Sequence, residues 1–248
     1  MIGCTNCLHS IIERLSIEQP IVVMAKQARK LSTEQNVSKV TNFHSFVDEN
    51  AHDDSQKVAK LYDDWATYDQ DVKKVAYKGP TIGGDMISKH CADKNVTILD
   101  VGSGTGMVGE ELHSRGYTNI TAIDISQKSL DIARQKGAYS RVVLTDAVKE
   151  QMPFEANEFD VLVCVGCFIP GHLNQKCFPD WIRVTKSGGL IVLVMRESFL
   201  REGEFGNGQF DRAVQDLIDS KKWEKVYTRI YPEYFDDYDG VVFVYRVL

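Results

Sequence analysis

The residues able to do chemistry gather at the ends of β-like runs along the 248-residue chain. Ile98-Leu99-Asp100-Val101 passes directly into Gly102-Ser103-Gly104-Thr105-Gly106. Glycines at alternate positions let a backbone turn sharply and approach a ligand closely, and a helix that follows presents unpaired N–H groups. Gly104, Gly106 and Gly109 also match a dinucleotide loop. Spacing argues against that match, because a loop begun at Gly102 would need its third glycine at Met107, and one begun at Gly104 stands two residues too far from the strand. A second run ends in Asp124, followed by Ile125 and the helix-capping Ser126. A carboxylate at that strand tip can accept from both hydroxyls of a ribose, which fits NAD and an adenosyl group equally. A third run ends in Thr145-Asp146-Ala147, where an acid beside a small residue could hold an adenine amino group or stand in solvent. His172, after the Pro170-Gly171 turn, is a candidate general base, or a residue that only packs its loop.

The elements that must position these residues alternate after Lys94. Strands are expected at Thr97–Val101, Asn119–Asp124, Arg141–Thr145, Phe159–Val165 and Gly189–Met195. Helices are expected at Met107–Arg115, Gln127–Gln135 and around Asn174–Thr185. Such alternation predicts right-handed βαβ crossovers. A helix at Asp211–Lys221 then leads into strands Lys225–Tyr231 and Val241–Val247, with no helix between them. The expected fold is α/β: a doubly wound, mainly parallel, seven-stranded sheet ending in an antiparallel hairpin, with N-terminal helices. Before it, Val58, Leu61, Tyr62, Trp65, Tyr68, Val72 and Val75 recur at helical spacing, and a further helix is expected at Thr81–Ala92. Three segments result: an N-terminal appendage, partly disordered or helical, over 1–55; a helical lid over 56–94; and the core over 95–248.

Apolar residues at 43% and charged residues at 26% exclude a disordered or fibrous chain. The net charge of −6 gives no basic footprint for nucleic acid. No apolar run approaches a membrane span. Cys4, Cys7, Cys91, Cys164, Cys167 and Cys177 read as reduced thiols, since Ile21–Ala25 is too short for a signal-peptide core. The expected setting is the cytoplasm, with the nucleus as a second one. Cys4, Cys7 and His9 do not complete a four-ligand zinc set, and His44 and His52 lie in polar sequence, so no metal site is expected.

With these residues placed, Asp100-Val101-Gly102-Ser103-Gly104-Thr105-Gly106 resembles the first motif of the class I S-adenosylmethionine-dependent methyltransferases. Met152-Pro153-Phe154 with Glu158-Phe159-Asp160-Val161-Leu162 is similar to their approach to strand four, and Lys186-Ser187-Gly188-Gly189-Leu190 to the turn before strand five. The resemblance runs from about Leu61 to Leu248. Within it, Tyr62-Asp63-Asp64-Trp65-Ala66, Tyr68-Asp69-Gln70-Asp71-Val72, Arg183-Val184-Thr185-Lys186 and Trp223 look most like the Williams–Beuren-region methyltransferase-like proteins, although Thr67 alone separates Ala66 from Tyr68 where that pattern has two residues.

The resemblance implies S-adenosylmethionine as cofactor, S-adenosylhomocysteine as product, and a small-molecule or protein acceptor. It implies cofactor contacts at Asp100, Gly102, Ser103, Gly104, Thr105, Gly106, Asp124, Ile125, Asp146, Ala147 and Val165. Tyr62 and Tyr68 belong to an aromatic lid with Trp65 and Tyr77. Such a transfer needs mainly alignment and exclusion of water, so a site with few acid–base groups is in keeping. Val165-Gly166-Cys167-Phe168 departs from the Asp/Asn-Pro-Pro-aromatic motif of enzymes acting on planar amides or adenine, which argues against those acceptors. The acidic segment Tyr231–Asp239 suits either a cationic acceptor or a solvated hairpin loop. A non-catalytic S-adenosylmethionine-binding protein and an NAD-dependent oxidoreductase are the alternatives.

Overall fold

Short runs of β-branched residues, buried on both faces, can only be the interior strands of a sheet covered on each side. The computed structural model describes residues 55–149 and 151–248, and the runs Ile98–Val101, Ile120–Asp124 and Phe159–Val165 behave this way there. Strands β1 (Ile98–Val101), β2 (Ile120–Asp124), β3 (Arg141–Leu144), β4 (Phe159–Val165) and β5 (Thr185–Arg196) run parallel. At the far edge β6 (Trp223–Phe235) runs in the same direction, and β7 (Tyr238–Val247) returns antiparallel between it and β5, giving the order β3-β2-β1-β4-β5-β7-β6. This is the doubly wound sheet with a terminal hairpin that the sequence pattern predicts.

Alternation along each strand sorts the side chains into two cores. Leu99, Val101, Leu162, Cys164, Ile191 and Leu193 face one side, packed with Phe178 and Trp181 of α6 (Phe178–Val184) and Phe210 and Val214 of α7 (Gln209–Asp219). Ile98, Val161, Val163, Val192 and Val194 face the other, against Met86 and Ile87 of α3 (Gly79–His90) and Val108 and Leu112 of α4 (Met107–Ser114). Helix α3 lies within the segment expected as a lid, yet its Ile82, Met86 and Ile87 are buried, and it covers the sheet. The remaining lid elements are α1 (Ser55–Asp64) and α2 (Tyr68–Lys74), separated by a turn at Trp65–Thr67.

Several boundaries differ from expectation. The hairpin is longer, because β6 and β7 stay paired down to Phe235 opposite Tyr238. Helix α7 starts and ends two residues early, and Asn174 opens a single 3-10 turn, Gln175–Cys177, before α6. Among the described residues no helix is long and apolar enough to cross a membrane. Residues 1–54, with Cys4, Cys7, His9, His44 and His52, lie outside them.

Strand order reverses between β1 and β4, so their connections leave the sheet in opposite directions and open a crevice at their C-terminal ends. The Gly102–Gly106 turn follows β1 and Gly166-Cys167 follows β4, one on each lip. Asp124, the last residue of β2, and Asp146, two residues beyond β3, extend that crevice.

Candidate functional site

The crevice holds a cavity of about 560 Å³. Every residue expected at the site lines it except Asp100 and Gly106. Tyr62 and Tyr68 reach it from the lid helices despite the single-residue spacing at Thr67, and Val165, Tyr77, Cys167 and Leu173 complete its far wall. Asp100 sits one layer behind, because its side chain is turned under the glycine turn and is almost fully buried. Gly106 is likewise backed by Tyr139 and Ala133 rather than by open space.

The glycine turn is held by the protein's own groups. The N–H groups of Gly102 and Ser103 donate to the Ile123 carbonyl at 2.9 and 3.0 Å, and that of Gly106 donates to the Ser103 carbonyl at 2.9 Å. The Gly104 N–H donates to Asp124 Oδ2 at 2.8 Å, while Asp124 Oδ1 accepts from Ser126 N at 2.8 Å. In the first turn of α4, Gly109 N donates to the Tyr139 hydroxyl at 3.0 Å. Two positions in this region require glycine. Gly102 has φ +71° and a Cβ there would strike Cys167 Sγ, whose thiol donates to the Gly102 carbonyl. A Cβ on Gly109 would strike the Tyr139 ring.

Two carboxylates set the electrostatics. Burial pushes Asp100 up to about 7, against the pull of the Tyr139 hydroxyl, which donates to Asp100 Oδ2 at 2.6 Å. Burial also raises Asp124, opposed by its hydrogen bonds from Ser126, Gly104 and Ile125. Asp100 Oδ1 and Ser103 Oγ are buried with no partner among the described residues. Asp146 Oδ1 accepts from Val148 N and Lys149 N at 3.0 and 3.1 Å, which fixes its carboxylate at the end of β3. The two oxygens of Asp124 share these backbone donors and still have spare acceptor capacity.

The lid is fastened at two points. Asp63 Oδ1 accepts from Ser126 Oγ at 2.7 Å and Lys128 N at 3.1 Å, at the N-terminus of α5 (Gln127–Lys136). Asp69 accepts from the Thr105 hydroxyl of the glycine turn and pairs with Lys136 Nζ at 2.8 Å. Between these latches Tyr62, Trp65 and Tyr68 form a ring cluster, with Tyr62 and Tyr68 edge-on at 6.0 Å. The Tyr62 hydroxyl lies 3.2 Å from His172 Nε2. His172 itself is set by its loop, in which Glu204 accepts from Gly171 N at 3.0 Å and from Asn174 Nδ2 at 2.6 Å.

Glu233, Asp236, Asp237 and Asp239 do not line the cavity. Their loop instead clasps the first helices, with Lys78 N donating to the Tyr234 carbonyl at 2.9 Å and Asp236 N to the Val75 carbonyl at 3.0 Å. Tyr139, Tyr234 and Glu204 are the supporting residues that sequence reasoning missed. None has a spacing signal, since each arrives from a distant loop or strand.

Residues 98–189 match the family model of a methyltransferase domain. The chain is 32% identical over 162 residues to methyltransferase-like protein 27 of Homo sapiens, covering 64% of this chain and 63% of that protein. It is 27% identical over 139 residues to a ubiquinone biosynthesis O-methyltransferase of Actinobacillus pleuropneumoniae, covering 48% and 59% respectively. The chain therefore spans less than two thirds of the length of either relative. Among solved structures, the 1,6-didemethyltoxoflavin-N1-methyltransferase of Burkholderia thailandensis, with bound S-adenosylhomocysteine, superposes with a TM-score of 0.57. It is 15% identical, with 78% of this chain and 89% of that chain covered, so the likeness is one of fold.

Proposed function

We propose that this chain, whose residues 98–189 match the family model of a methyltransferase domain, transfers a methyl group from S-adenosylmethionine to a small-molecule acceptor. The observation that carries the reading is the glycine turn. Its N–H groups at Gly102, Ser103, Gly104 and Gly106 are engaged within the protein, Tyr139 receives the Gly109 N–H, and two carboxylates stand beside and beneath it. A dinucleotide pyrophosphate needs those N–H groups and would meet Asp124 at close range. A ligand carrying sulfonium and ammonium charge instead of phosphate suits them. The same comparison disfavours an NAD-dependent oxidoreductase.

The residues present fit the cofactor. Asp124 accepts from the ribose hydroxyls, and Asp146 beside Ala147 takes the adenine amino group. Ile125 packs the base, and the bare Cα of Gly104, with open space where a Cβ would stand, admits the amino-acid portion near the unpartnered Ser103 Oγ. When bound, S-adenosylmethionine supplies a methyl group already activated on sulfur. The chain's own work is to align, to exclude water with the Tyr62–Tyr68 lid, and to manage one proton. Alignment of this kind is worth on the order of 7–11 kcal/mol. His172 takes the acceptor's proton, a role worth roughly 10²–10⁴ in rate. Relatedness to a ubiquinone biosynthesis O-methyltransferase supports a small molecule rather than a protein side chain as acceptor. The free thiols of Cys91, Cys164, Cys167 and Cys177 support a reducing compartment, cytoplasm or nucleus.

Calorimetry with S-adenosylmethionine, S-adenosylhomocysteine and NAD tests the cofactor, followed by transfer of labelled methyl into a small-molecule extract. Heat with NAD alone would end this reading. Binding of S-adenosylmethionine with no labelled product from any extract would favour a non-catalytic binding protein.

A further inference from the structure

The contact between Tyr62 and His172 joins the lid to the candidate base, and it shows what that base is shaped to receive. His172 Nδ1 lies 3.3 Å from the Pro170 carbonyl. A carbonyl can only accept, so in the neutral tautomer that uses this contact Nδ1 carries the ring proton and Nε2 presents its lone pair. The group facing that lone pair is the Tyr62 hydroxyl at 3.2 Å, its ring edge-on to the imidazole at 5.8 Å and 77°. Burial holds Tyr62 firmly in its neutral, proton-donating form. A phenol is therefore already docked on the base, inside the cavity, with a second ring edge from Tyr68 beside it.

We propose that Tyr62 occupies the acceptor's place, and that the acceptor is a neutral hydroxyl on a planar ring (a phenol or an enol) that displaces the Tyr62 hydroxyl from His172 Nε2. The proposal rests on the cofactor reading above. Charge agrees with it. The carboxylates lining the cavity, Asp124 and Asp146, are both tied to backbone N–H groups on the cofactor side, and the four acids of the terminal hairpin lie outside the lining. Among the described residues, a cationic amine finds no counter-ion at the wall formed by Tyr62, Tyr68, Val165, Cys167 and Leu173. In the transfer, His172 Nε2 takes the hydroxyl proton as the acceptor oxygen bonds to the methyl carbon. The carbon–sulfur bond breaks with its electron pair left on sulfur, giving the aryl methyl ether, neutral S-adenosylhomocysteine and an imidazolium that later yields its proton to water.

The test uses the full chain saturated with S-adenosylhomocysteine, with 4-nitrophenol and 4-nitrocatechol as probes whose absorbance reports the bound, ionised form. Both probes should bind and shift toward the phenolate spectrum. His172→Asn should abolish that shift while calorimetry still shows S-adenosylhomocysteine binding. Tyr62→Phe keeps the ring but removes the competing hydroxyl, so probe affinity should rise about 2- to 10-fold, the range expected for one neutral hydrogen bond. In turnover with S-adenosylmethionine and 4-nitrocatechol, the same variant should lower KM. S-adenosylhomocysteine heat with no uptake of either phenol overturns the proposal and spares the cofactor reading. So does methylation of benzylamine or of a thiol in preference to the phenols. No S-adenosylhomocysteine heat at all overturns both.

Discussion

Asp100→Asn should make the protein more stable relative to the parent as pH rises. In the folded chain the Asp100 carboxyl is nearly inaccessible and burial lifts it from 3.8 to about 7. An acid raised on folding leaves the folded state holding a proton that the unfolded state has lost, so stability falls as pH climbs from the unfolded value to the folded one. The penalty is absent below about pH 3.8 and complete above about pH 7. At 1.36 kcal/mol per pH unit the full interval is worth about 4 kcal/mol, and the part between pH 5 and pH 8 about 3 kcal/mol. An asparagine escapes this penalty. Its amide leaves an N–H where Asp100 Oδ1 already lacks a partner, a constant cost of about 1–3 kcal/mol that does not vary with pH. The offset between variant and parent is therefore uninformative, whereas its slope is the measurement. Urea unfolding at half-unit pH steps should show the variant gaining about 3 kcal/mol on the parent between pH 5 and pH 8. A difference that stays flat across that range would refute the reasoning, and with it the picture of a buried carboxyl charged only at a cost.

Tyr139→Phe removes the hydroxyl that favours the charged form of Asp100, so the pH at which that difference reaches half its size should move upward in the same titration. Asp124→Asn should weaken S-adenosylmethionine by about 10- to 150-fold in calorimetry, the loss of one hydrogen bond to a charged acceptor; unchanged affinity would remove Asp124 from the ribose. Gly109→Ala drives a methyl into the Tyr139 ring and should cost about 1–3 kcal/mol in urea unfolding, with a larger loss refuting a local adjustment. Asp63→Ala combined with Asp69→Ala cuts both latches, so amide exchange over residues 55–74 should quicken severalfold in the free protein while the sheet stays protected.

The parts of this molecule legible in sequence are those governed by short-range rules. Strands such as Phe159–Val165 announce themselves by uninterrupted apolar character, and the Gly102–Gly106 turn by the backbone freedom a ligand loop needs. Because a parallel sheet places the ends of its strands on one edge, finding the strands was enough to bring Asp124, Asp146, Val165 and His172 into one cavity. Asp100 lies off the cavity lining because side chains alternate between faces along a strand, and here it turns inward to Tyr139. Tyr139 was invisible for the complementary reason. It sits in the turn between α5 and β3, where nothing in the local pattern shows that its hydroxyl will bridge Asp100 and Gly109. Glu204 and Tyr234 depend on pairings across 30 residues and more, which no periodicity encodes.

Asp63 and Asp69 fasten the lid at the two places a nucleoside ligand must pass, behind Asp124 at the head of α5 and on Thr105 of the glycine turn. A cover tied to the binding groups themselves cannot open at one end while the ligand stays held at the other. On the proposed reading, the consequence is a fixed order of events. The cofactor enters an open crevice and the acceptor meets a finished pocket only afterwards. The methylated product departs first, and the spent cofactor waits for both carboxylates to let go. Unfastening is then a step that must precede release of the spent cofactor, as in enzymes whose lids gate product release.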